Sequence, residues 1–136
     1  MSAQPADETA RPPRLLITGS RTWDDRAAIR DALRTWWDST GRNPDAVLVS
    51  GACAKGADRI CEEIWERNSL TVERHPAHWR PNGVFNRRAG YDRNEAMVDT
   101  RPDHCIAFIR AGSGGASHCA RYARAQGIDV TLIEAD

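Results

Sequence analysis

An open, parallel α/β sheet of about five strands with helices on both faces is the fold this sequence predicts. Short apolar runs alternate with amphipathic stretches along the chain, and three of the runs end at glycine-bearing turns. Each turn leads into a helix-like segment: Gly19-Ser20-Arg21-Thr22-Trp23, Ser50 to Asp58, and Gly112-Ser113-Gly114-Gly115-Ala116. In such a sheet these turns gather at the carboxyl ends of neighbouring strands, where bare backbone N–H groups and helix N-termini favour an anion.

The elements follow in order. Met1 to Pro13 is rich in Ala, Pro, Asp and Glu, lacks the layout of a signal peptide, and reads as a disordered tail ahead of one domain over residues 14–136. Leu15-Leu16-Ile17-Thr18, ended by Gly19, and Ala46-Val47-Leu48-Val49-Ser50, ended by Gly51, have the apolar character of buried parallel strands. Between them Asp25 to Asp38 places Ile29, Leu33 and Trp36 or Trp37 at helical spacing, with Thr22 and Asp25 offering a capping box. Strand, helix, strand is a βαβ unit, whose crossover is right-handed.

Ala57 to Asn68 predicts a second helix, with Ile60, Cys61, Ile64 and Trp65 inward, and Leu70 to Arg74 a third strand. His75 to Gly90 mixes proline, glycine, asparagine and arginine without period, so it predicts a long loop holding a short helical turn. A helix over Ala89 to Asp99, a strand over His104 to Ile109, a helix over Ser117 to Gln126 stopped by Gly127, and a strand over Ile128 to Ile133 complete the series. Adjacent Trp36 and Trp37 cannot both face one helical stripe. That points either to a subunit contact in a homodimer or to packing of the second indole beneath the tail.

A chain of 136 residues suits one domain, and its 19 basic and 19 acidic side chains cancel, so phosphate recognition must be local and a polyanion or membrane surface is disfavoured as partner. No apolar run approaches a membrane span. Cys53, Cys61, Cys105 and Cys119 are too widely spaced for a zinc signature and too few for a disulfide framework, which fits reduced thiols in a cytoplasmic protein. His75 and His78 lack an evident partner ligand. Neither a metal nor a cofactor is expected.

The spacing from Gly51 to Gly56 is that of a P-loop, but Ala57-Asp58 stand where Lys and Ser or Thr would grip phosphate and magnesium. No loop carries the dinucleotide fingerprint of three spaced glycines. Backbone recognition of phosphate or ribose remains, through Gly19, Ser20, Arg21, Ser50, Gly51, Gly56 and Ala57, with Lys55 as a mobile cation. Asp58, in a first helical turn, either complements the helix dipole or accepts hydrogen bonds from ribose hydroxyls or loop amides. The three glycines of Gly112-Ser113-Gly114-Gly115 allow positive φ and close approach of a ligand. Trp23 and Trp79 are candidate stacking faces; Arg93-Asn94 is the most interesting pair among Arg80, Arg87, Arg88 and Arg93. Cys53 and Cys119 lie near helix starts but read as small filler.

The ordered combination Gly19-Ser20-Arg21-x-Trp23, Ser50-Gly51-x-x-x-x-Gly56-Ala57-Asp58, Pro76-Ala77-x-Trp79, Arg93-Asn94-x-x-Met97 and the late glycine turn resembles the SLOG superfamily. More narrowly it resembles the YspA, YpsA-related branch, common in bacteria and their phages. The resemblance spans about Arg14 to Ile133. It implies a Rossmann-like fold whose strand ends hold nucleotides or nucleotide-derived ligands, ADP-ribose relatives included, and frequent homodimers. Lysine-decarboxylase-like phosphoribohydrolases of the superfamily carry Pro-Gly-Gly-x-Gly-Thr-x-x-Glu. Here Ala116 replaces the Thr and Cys119 the Glu, so no catalytic residue is assigned. Other relatives bind single-stranded DNA, against which the zero net charge and the lack of an evident basic and aromatic stripe argue. The expected function is therefore binding or sensing of a nucleotide-class ligand such as ADP-ribose, NAD or a nucleoside monophosphate. The alternatives are N-glycoside hydrolysis and a homo-oligomeric interaction module.

Overall fold

The computed structural model describes residues 11–111 and 113–135. Most of the expected tail, and Gly112 within the late turn, lie outside the described residues. Five strands and four α-helices alternate: β1 (Arg14–Gly19), α1 (Arg26–Ser39), β2 (Val47–Ser50), α2 (Ala57–Arg67), β3 (Thr71–Arg74), α3 (Ala89–Asp99), β4 (His104–Arg110), α4 (Gly114–Ala125) and β5 (Val130–Ala135), with a short 3-10 turn at Pro81–Gly83. All strand pairs are parallel, in the order β3-β2-β1-β4-β5. This is the Rossmann-like α/β architecture read from the sequence.

Strand periodicity sorts the core into two layers. Leu15 and Ile17 of β1 point to one side, where they pack with Leu48, Ile106 and Phe108 against Ile29 and Leu33 of α1 and Cys61 and Trp65 of α2. Leu16, between them, points to the other side and meets Val49, Cys105, Met97 and Val98 of α3, and Cys119 and Ala123 of α4. β1 is therefore covered on both faces, which is why its middle is continuously apolar. Asp25 alone caps α1, its Oδ1 accepting from the Ala28 N–H at 3.0 Å; the Thr22 carbonyl instead accepts from Arg110.

Two elements start two or more residues away from the sequence reading. α4 begins at Gly114 rather than Ser117, so Gly114, Gly115 and Ala116 form its first turn. β5 begins at Val130, because Ile128 closes the turn after α4: its N–H bonds the Ala123 carbonyl and its side chain is buried beside Met97 and Val98. Trp36 and Trp37 are both half-buried. The Trp36 ring lies 6.1 Å from that of Trp65, and Trp37 Nε1 donates to the Asn43 carbonyl. Neither indole is left bare in the way that suggested a subunit contact. Among the described residues no helix is long and apolar enough to cross a membrane.

Candidate functional site

In a sheet of this order the chain direction of the crossovers reverses between β1 and β4, which opens a crevice at their carboxyl ends. Ser20 ties those ends together. Its N–H donates to the Phe108 carbonyl at 2.9 Å, and its Oγ accepts from the Arg110 N–H at 2.9 Å. Its carbonyl accepts from the Ala57 N–H, fastening the second loop to the first. Gly56 sits at the crossing with φ +78°, and a Cβ there would meet the Ser20 carbonyl and stand 2.5 Å from Arg21 Cα. Only glycine fits.

Arg93 and Asn94 join the second loop to the third. The Arg93 guanidinium lies across Gly51, donating to the Gly51 and His75 carbonyls, while its Nε donates to Asn94 Oδ1 at 2.9 Å. Asn94 Nδ2 in turn donates to the Gly115 carbonyl at 3.2 Å. A Cβ at Gly51 would come within 2.6 Å of Arg93 Nη1, so this glycine makes room for the arginine.

The result is a cavity of about 660 Å³, within the size range of ligand pockets. The first loop contributes Gly19, Ser20 and Arg21, and the second Gly51, Cys53 and Asp58. Ser113, Gly115 and Ala116 come from the third loop, and Trp79, Arg93 and Asn94 from the segment that closes the side. Four arginines, Arg21, Arg87, Arg93 and Arg110, line it against a single carboxyl, Asp58. The side chains of Arg21 and Arg87 have no hydrogen-bond or ion-pair partner among the described residues, whereas Arg110 donates to the Thr22 carbonyl and to Asp24 Oδ1. A chain of zero net charge thus concentrates positive charge in one cavity.

Asp58 is buried in the first turn of α2, with its Oδ2 accepting from the Cys53 N–H at 3.2 Å. Burial, reinforced by Glu62, pushes its pKa up to about 6 against the opposing pull of that hydrogen bond and of Arg93 and Arg21. A carboxyl that changes protonation near neutrality faces the cavity.

Several residues singled out from the sequence lie elsewhere. Trp23 does not offer a stacking face: the turn folds back on itself, the Trp23 N–H reaching the Ser20 carbonyl, and the indole is buried edge-on to Phe108 with centroids 5.5 Å apart. Ser50 is fully buried and donates to Glu62 Oε2 at 2.7 Å. Gly56 and Ala57 hold the loops together behind the cavity wall. Lys55 is exposed outside the lining, and Gly114 is also outside it. Among the described residues of the third turn, positive φ belongs to Ala111, at 51°, while Gly114 and Gly115 are helical.

Arg110 and Tyr91 line the cavity without having been anticipated. Arg110 was accessible to reasoning as the last residue of a strand beside the reversal point. Tyr91 gave no signal, because its position depends on how α3 lies against α4. Cys119, at the Glu position of the phosphoribohydrolase motif, is buried beneath the floor, and burial pushes its thiol up to about 12. It cannot serve as a base near neutrality. Among the described residues no three His, Cys, Asp or Glu side chains gather to hold a metal ion.

The family model described as the YspA, cpYpsA-related SLOG family matches residues 13–81, from the start of β1 to the 3-10 turn. The Gene 61 protein of Mycobacterium phage D29 is 40% identical over 122 residues, covering 86% of this chain and 93% of that protein. No solved structure matches the chain.

Proposed function

The chain belongs to the YspA, cpYpsA-related SLOG family, and on that premise we propose that it binds a nucleotide or nucleotide-derived anion in the cavity between the ends of β1 and β4. Family membership points to nucleotide-related binding or processing. The observation that carries the proposal is the charge of the lining, four arginines to one carboxyl, with neither Arg21 nor Arg87 hydrogen-bonded or ion-paired by its side chain among the described residues. An anion placed there supplies the missing partners. The backbone of the α4 first turn, with no Cβ at Gly115, lets a phosphate approach closely.

A thermal-shift panel of nucleoside monophosphates, NAD and ADP-ribose, each mixture then analysed by mass spectrometry, tests the reading. A ligand at about a hundred times its dissociation constant adds roughly 2.7 kcal/mol of stability. Binding predicts a shift for at least one nucleotide and none for its uncharged nucleoside.

A second reading, hydrolysis of the bond between base and ribose, is favoured by one observation: Asp58 faces the cavity with its pKa near 6. Released base in the mass spectrum would move the account from carrier to enzyme, and loss of that release in Asp58→Asn would identify the base.

A further inference from the structure

The segment that closes the cavity continues outward as an exposed aromatic surface. Trp79, which lines the cavity, lies nearly parallel to Phe85, with an interplanar angle of 9° and centroids 6.2 Å apart. Phe85 is 52% exposed, and the neighbouring Val84 69%. The Arg80 guanidinium stands over Phe85 at 5.5 Å, and Arg87, two residues further along the chain, lines the cavity. Rings half in water at the mouth of a cationic cavity leave aromatic surface that their contacts with each other and with Arg80 do not cover. Bases stack on such rings whatever their sequence, and arginines at the edge match the phosphate that joins one base to the next.

We propose that Trp79 and Phe85 form a second base subsite, so that the ligand class is a phosphate-bridged pair of nucleosides, one within the cavity and one stacked on the rim. The inference rests on the nucleotide reading of the cavity and adds the second ring. It also revises the sequence argument against a basic and aromatic stripe: the stripe exists, but the fold assembles it from Trp79, Arg80, Phe85 and Arg87 around one loop, next to Arg21 and Arg93. The bridge is a pyrophosphate if the ligand is a dinucleotide, and a phosphodiester if it is the end of a single strand.

The test is calorimetric titration of the full chain with three probes: adenosine monophosphate, a pyrophosphate-bridged diadenosine and a phosphodiester-bridged diadenosine. The proposal predicts that one of the bridged probes binds roughly tenfold more tightly than the monophosphate, and which of the two does so identifies the bridge. Phe85→Ala, at an exposed position, should remove that advantage while leaving monophosphate affinity unchanged, and Phe85→Trp should keep it. Equal affinity of the wild type for all three probes overturns the second subsite and leaves the cavity proposal standing. Loss of monophosphate affinity in Phe85→Ala to the same extent as that of the bridged probe also overturns it, since Phe85 would then support the cavity rather than the second base. Failure of all three probes to bind overturns the second subsite, and the cavity proposal falls with it if the nucleotide panel also gives no thermal shift.

Discussion

Replacing Asp58 by Asn tests the electrostatics of the cavity without involving a ligand. The substitution keeps the shape of the side chain and an oxygen to accept from the Cys53 N–H, and exchanges the ionisable oxygen for a neutral amide NH2. Folding raises the carboxyl pKa from 3.8 to about 6, chiefly by burial. About two units correspond to at most about 3 kcal/mol. The sign follows from linkage: the folded state holds the proton more tightly, so the carboxyl costs nothing below its unfolded pKa of 3.8. Its cost then grows as pH rises from 3.8 to about 6 and is constant above that.

Urea denaturation of both proteins across this range reads the difference directly. Near the lower end the two stabilities should coincide. On the plateau Asp58→Asn should be the more stable, by up to about 3 kcal/mol. Parallel curves, or a variant less stable above about pH 6, would mean that Arg93 and Arg21 hold the carboxylate ionised in the fold, and the account of a near-neutral cavity acid would be withdrawn.

Three other outcomes follow from the same geometry. A Cβ at Gly115 meets nothing within 4 Å and the residue is helical, so Gly115→Val should change stability by no more than about 0.5 kcal/mol while its methyls stand where a phosphate would approach the α4 first turn and abolish nucleotide binding. Arg93→Ala releases the Gly51 and His75 carbonyls and Asn94 Oδ1 together; a loss of about 1–3 kcal/mol in denaturation and a weakened nucleotide affinity are expected. Leu16, fully buried between β1 and the α3 and α4 layer, should cost about 2–5 kcal/mol on truncation to Ala, with the affinity of the remaining folded protein unaltered.

The sequence made the order of elements legible because each strand is a short apolar run punctuated by a turn, and each helix repeats its apolar positions at the helical period. It could not place the start of α4, since Gly114-Gly115 is a poor helix former; the helix begins there because tertiary contacts, such as the bond from Asn94 to the Gly115 carbonyl, hold its first turn. Trp23 looked like a platform because it follows a ligand-type turn, but the direction of an indole is set by the fold-back of that turn onto Phe108. Ser50, Gly56 and Ala57 belong to the right motif and serve to hold its loops in register, a distinction between lining and support that spacing alone does not carry. The gathering of Arg21, Arg87, Arg93 and Arg110 was hidden by the zero net charge, because charge totals say nothing about which arginines converge.

The central claim is that the arginine-lined cavity holds a nucleotide, and the most direct measurement is a titration of the best ligand of the nucleotide panel into the wild type and Gly115→Val side by side. The account predicts saturable binding to the wild type that weakens as salt is raised, and no binding to an equally stable variant. Equal affinity in the two proteins would place the ligand outside this cavity and contradict it.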